Sequence, residues 1–479
     1  MDRTIINIFV DLDGTLIKTD LLFESALKFI KINPLHIFYL IVWLIQGKAT
    51  LKHNLAQKIK IDVTVLLYQK PLLDYLKIKN EQGCRLILAT ASHIHYARSV
   101  ADHLNIFDDV IATDIHNNMK GHRKLTAIQD YVKGDIFSYA GDSNADIPIW
   151  REATSNIFVN APVSVIKEAH AAGKAEKIIE TRERSTSRAF IKEMRLHQWA
   201  KNVLVFIPLL TSHAYMNADA LLMGMLAFIC FSFCASGVYF LNDLLDIEAD
   251  RKHKTKKYRP IASGDLSIPY GVIGALILPV FAFTLAGLFL PFNFVIVLAV
   301  YFLITNGYSF YLKRISTADI MTLAVLYTTR VVAGAVATGI TLSSWLLVFS
   351  IFVFVSLAYL KRYIEVSVFE NDNKKVEGRG YSAADSETMF SLGISNITAS
   401  VLVLAFYINS DEVRQMYKTP EILWGLCLLM LYWGNRIWVG ARRGKISDDP
   451  VVFAIKDKVS RMVGLGFILV VVAAKFIVI

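Results

Sequence analysis

The sequence predicts two fold classes in series: an N-terminal doubly wound α/β domain with a helical cap, then an all-α domain that crosses a membrane about nine times. Three observations carry this expectation. Short β-rich runs alternate with helical stretches through the first 190 residues, the pattern of a parallel sheet wrapped by helices. From about residue 197 onward, apolar runs of membrane-spanning length dominate. The chain of 479 residues is 54% hydrophobic with a mean hydropathy of +0.44, too apolar for an ordinary soluble protein.

The elements follow in order. Residues 5–10, 85–89, 109–112 and 136–140 read as buried parallel strands. No signal peptide is expected, because Met-Asp-Arg-Thr leads straight into the first of them. Residues 17–80 are helical and form an insert between the first two strands. Within it, Leu35–Ile45 is apolar but too short to span a bilayer, which takes ~20 residues. It reads as the core of a helical cap, with the membrane interface as the alternative. Residues 1–175 thus make the soluble domain, 176–192 a basic linker, and 193–479 the membrane domain.

Nine spans are expected, at 197–214, 218–241, 270–289, 291–311, 318–339, 343–360, 387–408, 421–440 and 461–479. The first is polar at its start. Lys and Arg concentrate in alternate loops, after 250, 313, 361 and 442. The positive-inside rule then predicts a multi-pass cell-membrane protein with a cytoplasmic N-terminal domain and the C-terminus opposite. A net charge of +10 fits cytoplasmic loops and anionic lipids or phosphates, with no nucleic acid expected. Cys84, Cys230, Cys234 and Cys427 have no metal-type spacing and read as reduced packing residues.

Two groups of residues carry chemistry. The first strand runs into Asp11-Leu12-Asp13-Gly14-Thr15, which puts two carboxylates and a flexible turn at the carboxyl edge of a parallel sheet. Thr90 ends the second strand, Lys124 stands in Gly-His-Arg-Lys, and the fourth strand runs into Gly141-Asp142-Ser143-Asn144-Ala145-Asp146. The second group is Asn242-Asp243-x-x-Asp246-x-x-x-Asp250, placed after an apolar run and before a basic stretch ending Arg259-Pro-Ile-Ala-Ser-Gly264. On one continuous helix these spacings share a face. Three carboxylates at a membrane helix end are costly without a cation. Mg²⁺ suits hard oxygens and also binds substrate phosphates.

Residues 1–170 resemble the haloacid dehalogenase-like phosphatases, with all four motifs in order. The resemblance implies that Asp11 is the nucleophile and Asp13 the general acid and base. Thr90 and Lys124 would hold the phosphoryl group, and Mg²⁺ would be held by Asp11, Asp13, Asp142 and Asp146. Ser92 and Asn144 read as supporting turn residues. Residues from about 190 onward resemble the UbiA-type membrane prenyltransferases. The quoted acidic motif, Arg195-Leu-His-Gln-Trp-Ala-Lys-Asn202, Arg259–Gly264 and Leu360-Lys-Arg-Tyr-x-Glu365 point to the decaprenyl-phosphate phosphoribosyltransferase-like branch. Lys254 departs from it, standing where proline is usual.

That resemblance implies a second Mg²⁺ site at Asp243, Asp246 and Asp250, with Asp243 and Asp246 catalytic. Substrate groups would meet Lys201, Asn242, Lys256, Lys257, Arg259, Lys313, Asp319, Lys361, Arg362 and Tyr363. Arg330 lies mid-helix in a span, where a charge is a candidate for function, here toward a lipid phosphate, or else part of a buried ion pair.

The expected function is transfer of a 5-phosphoribosyl group from phosphoribosyl diphosphate to a polyprenyl phosphate, with the fused phosphatase removing the 5-phosphate, as a step of cell-envelope biosynthesis. The alternative is an aromatic prenyltransferase that uses a polyprenyl diphosphate. That reading calls for a second acid four residues after Asp319, where Leu323 stands. A transporter needs neither phosphate-binding cluster.

Overall fold

The computed structural model describes residues 6–115, 117–170, 174–181, 185–367, 380–446 and 450–477. The chain forms two compact units: residues 1–194 with 239–276, and residues 195–238 with 277–479.

The first unit is built on six parallel strands: β1 (Asn7–Val10), β2 (Arg85–His93), β3 (Asp109–Thr113), β4 (Phe137–Gly141), β5 (Ser155–Val159) and β6 (Lys174–Ile179). Their order is β3-β2-β1-β4-β5-β6. β1 is central, with Val10 paired to Leu88 of β2 on one side and Ala140 of β4 on the other. All four residues of β1 are buried, with Ile8, Phe9 and Val10 forming its apolar run. Chain order reverses on either side of β1, and open α/β sheets place ligands at the carboxyl ends of strands flanking such a point. Residues 174–179, partly assigned to a linker from sequence, complete the sheet as β6 through register with β5. Lys174, Glu176 and Lys177 hide that strand from an apolar reading, because an edge position tolerates charge.

The insert holds three helices, α1 (Leu21–Ile32), α2 (His36–Gln46) and α3 (Lys48–Lys58). Asp20 caps α1 by accepting from the Leu22 amide. Leu51, Leu55 and Ile59 bury against Phe29, with Leu40 and Trp43 packed on them. The expectation that Leu35–Ile45 forms the cap core fails. No residue of α2 is buried, and Ile45 is 81%, Leu35 64% and Phe38 63% exposed. The segment is apolar on every side, and α1 and α3 cover only one of them.

Among the described residues, eight helices are long and apolar enough to cross a membrane. They are Ala218–Leu245, Ile268–Phe289, Phe292–Phe310, Ala318–Thr338, Ser344–Ser367, Ala383–Ile408, Pro420–Arg442 and Lys458–Phe476. The multi-span helical class is as expected, with one continuous span fewer than the nine counted. The difference is 197–214, where the chain is a 3-10 run, Leu196–Phe206, followed by a short helix, Ile207–Thr211. Pro208 removes a backbone donor there, and His197, Gln198, Lys201 and Asn202 interrupt the apolar pattern. The run packs against Ala318–Thr338 at Gly334, where an added Cβ would lie 1.9 Å from the Val205 carbonyl oxygen. A small residue lets the two backbones approach.

Candidate functional site

The carboxyl ends of β1, β2 and β4 bring the soluble-domain motifs together. The Asp11 amide donates to the Ala140 carbonyl at 2.9 Å, which fixes the nucleophile candidate between the strands. Lys124, on the helix His122–Val132, donates to Asp11 Oδ2 at 2.9 Å, to the Tyr139 hydroxyl at 2.7 Å and to Asp146 Oδ1 at 3.4 Å. Tyr139 in turn donates to Asp146 Oδ1 at 2.7 Å. Asp146 Oδ2 accepts from the amides of Asp142 and Ser143 at 3.3 and 3.2 Å, shaping the turn after β4.

Carboxylate oxygens of Asp11, Asp142 and Asp146 lie within 4.8 Å of one another. Burial, and then the nearby Asp11 and Asp146 charges, push Asp142 up to about 7. Burial also raises Asp11, although Lys124 opposes the shift. Burial works against the Lys124 charge too, but Asp11 and Asp146 outweigh it and hold the ammonium above its usual pKa. Crowded hard oxygens of this kind suit a divalent ion such as Mg²⁺.

Asp13 lies outside that carboxylate trio. Its Oδ1 accepts from the Leu21 amide at 2.9 Å and its Oδ2 from Ser92 Oγ at 2.5 Å. Burial is the main reason its pKa rises to about 8, which leaves it protonated at neutral pH. Thr90 is fully buried, and its Oγ1 accepts from the Ser92 amide at 3.0 Å. Sequence reasoning passed over Tyr139 and Lys52. Tyr139 lies inside a strand with nothing local to mark it. Lys52 is on α3 and feels the charges of Asp13 and Asp20, while burial holds its ammonium below the ordinary value.

The first acidic motif departs from the single helical face expected of it. The spanning helix ends at Leu245, Asp246 has non-helical torsions, and a short helix restarts at Ile247. The break redirects the carboxylates. Asp243 and Asp250, 2% and 3% exposed, both meet Arg259 Nη1, at 3.0 and 2.6 Å. Asp246 instead pairs with Lys31 of α1 at 2.8 Å. Among the described residues these three do not form a carboxylate trio as close as that of the soluble domain. Asn242 Oδ1 is buried without a hydrogen-bond partner, an orphan acceptor of the sort a bound cation or ligand satisfies. Lys256 and Lys257 are exposed on the loop between Asp250 and Arg259.

In the second unit, Asp319 is fully buried at the start of its helix. It is held by Arg362 through both carboxylate oxygens, and by Tyr308, whose hydroxyl donates at 2.8 Å. Arg362, 1% exposed, also bonds Tyr308 at 2.8 Å and Glu365. Lys313 and Lys361 are half-buried. The Tyr363 ring packs in the core against Phe390 and Trp438, with centroids 5.6 and 6.0 Å away.

Arg330 is 5% exposed, and the hydrogen bonds found for it go to neutral groups. They reach Asn202 Oδ1 at 2.8 Å, the Leu326 carbonyl at 2.5 Å and the Tyr301 hydroxyl at 3.1 Å. Its guanidinium also lies 5.0 Å from the Tyr301 ring centre and 5.5 Å from that of Tyr327. Among the described residues no ion pair is found for it. Lys201 Nζ sits 5.9 Å from the Tyr327 ring centre.

Comparison with known proteins agrees with both halves of the chain. Residues 203–379 match the UbiA prenyltransferase family and residues 8–151 the haloacid dehalogenase-like hydrolases. An uncharacterized protein, y4nM, of Sinorhizobium fredii is 34% identical over 457 residues, spanning 95% of this chain and 88% of that protein. The nodulation protein NoeC of Azorhizobium caulinodans is 33% identical across 58% of this chain and 91% of its own. The decaprenyl-phosphate phosphoribosyltransferase of Corynebacterium glutamicum is 30% identical over 60% of this chain and 86% of that enzyme. The chain belongs to the UbiA prenyltransferase family, is related there to the decaprenyl-phosphate phosphoribosyltransferases, and carries a haloacid dehalogenase-like hydrolase domain at its N-terminal end.

Proposed function

We propose that the membrane domain transfers a 5-phosphoribosyl group from phosphoribosyl diphosphate to a polyprenyl phosphate, and that the soluble domain then removes the 5-phosphate. The observation that carries the choice of branch is the state of Asp319. Its carboxylate is occupied by Arg362 and Tyr308. Leu323 stands four residues on, so Asp319 lacks the partner acid of a metal-binding pair. This disfavours an aromatic prenyltransferase.

In the transfer, the bond from ribose C1 to the diphosphate oxygen breaks and a lipid phosphate oxygen takes its place. Asp243, Asp246 and Asp250 would hold Mg²⁺ once they give up their pairings with Arg259 and Lys31, and the ion would neutralise charge on the departing diphosphate. Arg259, Lys256, Lys257, Lys313 and Lys361 supply cations for the phosphates. Arg330, buried with neutral hydrogen-bond partners, suits the lipid phosphate.

In the second reaction, Asp11 attacks phosphorus and the ester P–O bond breaks. Asp13 gives its proton to the leaving sugar oxygen, then takes one from the water that releases inorganic phosphate from Asp11. Thr90 and Lys124 hold the phosphoryl oxygens. Mg²⁺ at Asp11, Asp142 and Asp146 would lower the charge of the phosphoryl group under attack. The basic loops and the soluble domain lie on the cytoplasmic face in this reading.

Purified protein supplied with labelled phosphoribosyl diphosphate and polyprenyl phosphate should yield a dephosphorylated lipid-linked ribose. Asp11→Asn should accumulate its 5-phosphorylated precursor, as read by mass spectrometry. Identical products from the two proteins would overturn the second step.

A further inference from the structure

The phosphatase site opens into a polar pocket that the hydrolase motifs alone do not account for. Gly14 and Asp142, at the acidic cluster, line it. It is also lined by Asp265 and Ser267, which lead into the membrane helix Ile268–Phe289, and by Tyr270 in the first turn of that helix. We propose that this segment forms the substrate-recognition wall of the phosphatase, and that the pocket takes a phosphorylated sugar carried on a membrane lipid through a phosphodiester.

Three independent features hold the wall in place. Gly264 adopts φ +78°, and a Cβ there would come within 3.0 Å of Leu67 and 3.3 Å of Lys18, so the segment packs directly on the loop after Asp13. Arg251 donates to both oxygens of Glu24 at 3.1 and 2.8 Å, with side chains 4% and 10% exposed, and to the Ala262 carbonyl at 3.2 Å. Lys28–Glu248 at 2.6 Å and Lys252–Asp62 at 2.9 Å add exposed pairs across the same contact. Exposed pairs contribute little each, whereas the buried bidentate pair fixes geometry.

The chemistry of the lining selects the ligand. A phosphomonoester belongs at Asp11 and Asp142. Asp265 disfavours a second anion nearby but accepts hydrogen bonds from hydroxyl groups. Ser267 offers a hydroxyl, and the half-exposed Tyr270 ring offers a face for a sugar. Lys18, exposed at the rim, offers a cation to a more distant phosphodiester. The source is the membrane rather than solution. α1 is tied at Lys31 to Asp246, just past the end of a spanning helix. The helix that follows it, α2, presents Ile37, Phe38 and Ile45 bare of protein, the pattern of a helix lying in the bilayer interface.

The proposal rests on the sequential reading above, and its test separates the two. The full-length protein, in lipid nanodiscs with Mg²⁺, is given polyprenyl phosphoribose 5-phosphate and, separately, p-nitrophenyl phosphate. Asp265→Asn/Tyr270→Ala should lower the ratio of kcat/KM for the lipid over the small ester by tenfold or more, mainly through KM. Ser267→Ala should lower it by a few-fold. If wild type cleaves the lipid and neither variant changes the ratio, the wall is not a recognition surface. A fall in both substrates together would mean a structural role and also overturns the proposal. If wild type cleaves only the small ester, the sequential reading fails, and the lipid assignment fails with it.

Discussion

Replacing Lys124 with methionine removes the one cation that, among the described residues, is found bonded within the cluster of Asp11, Asp142 and Asp146, while nearly keeping its volume. At an effective dielectric of ~20, a unit pair at the 2.9 Å of Lys124 and Asp11 attracts by roughly 6 kcal/mol. Desolvation of two groups that are nearly inaccessible offsets much of that. Removing one partner of such a pair costs about 3–5 kcal/mol, because the remaining charge is stranded. Two consequences follow. The carboxylates should hold their protons more tightly, and Mg²⁺ should protect the variant against unfolding more than it protects wild type. The phosphoryl group should lose a fixed donor, worth ~10²–10³ in kcat. Hydrolysis of p-nitrophenyl phosphate by the full-length protein across an Mg²⁺ titration measures both. A Lys124→Met protein within threefold of wild-type kcat at saturating Mg²⁺ would refute the assignment of Lys124 to the phosphoryl group.

Further expectations concern both halves of the chain. Asp243→Ala or Asp246→Ala should abolish labelling of polyprenyl phosphate while the protein still inserts, and near-normal transfer by both would remove this motif from the reaction. Gly14→Ala should inactivate the phosphatase, because φ is +79° and the new Cβ would lie 2.3 Å from Asp142 Oδ2; retained Mg²⁺-dependent hydrolysis would show that the turn yields. Asp13, with its pKa raised to about 8, is protonated below that pH, so hydrolysis limited by leaving-group protonation should persist through neutrality and fall above about 8. A profile that rises steadily beyond pH 9 would assign the acid elsewhere. Arg362→Met should destabilise the membrane domain by about 3–5 kcal/mol by stranding buried Asp319, and Arg362→Met/Asp319→Leu should regain most of it, a double-mutant cycle read by thermal unfolding in detergent.

The sequence alone determined the architecture, because its signals are local. Short, mainly apolar runs announce β1, β2 and β4, and the motif residues fall at their ends, where a parallel sheet must place a site. The spans are legible for the same reason: hydrocarbon thickness sets a length that composition either fills or does not. Only the tertiary structure decided where the charges go. Three acids at helical spacing read as one metal face, but a one-residue break at Asp246 sends that carboxylate to Lys31 and leaves Asp243 and Asp250 to Arg259. Arg362 and Asp319 are separated by 43 residues, so no local pattern announces their pairing. Tyr139 looks like any strand aromatic until the sheet places its hydroxyl between Lys124 and Asp146. The apolar α2 is the sharpest case. Hydropathy measures what a segment avoids, whereas burial depends on which other elements reach it, and here α1 and α3 reach only one side.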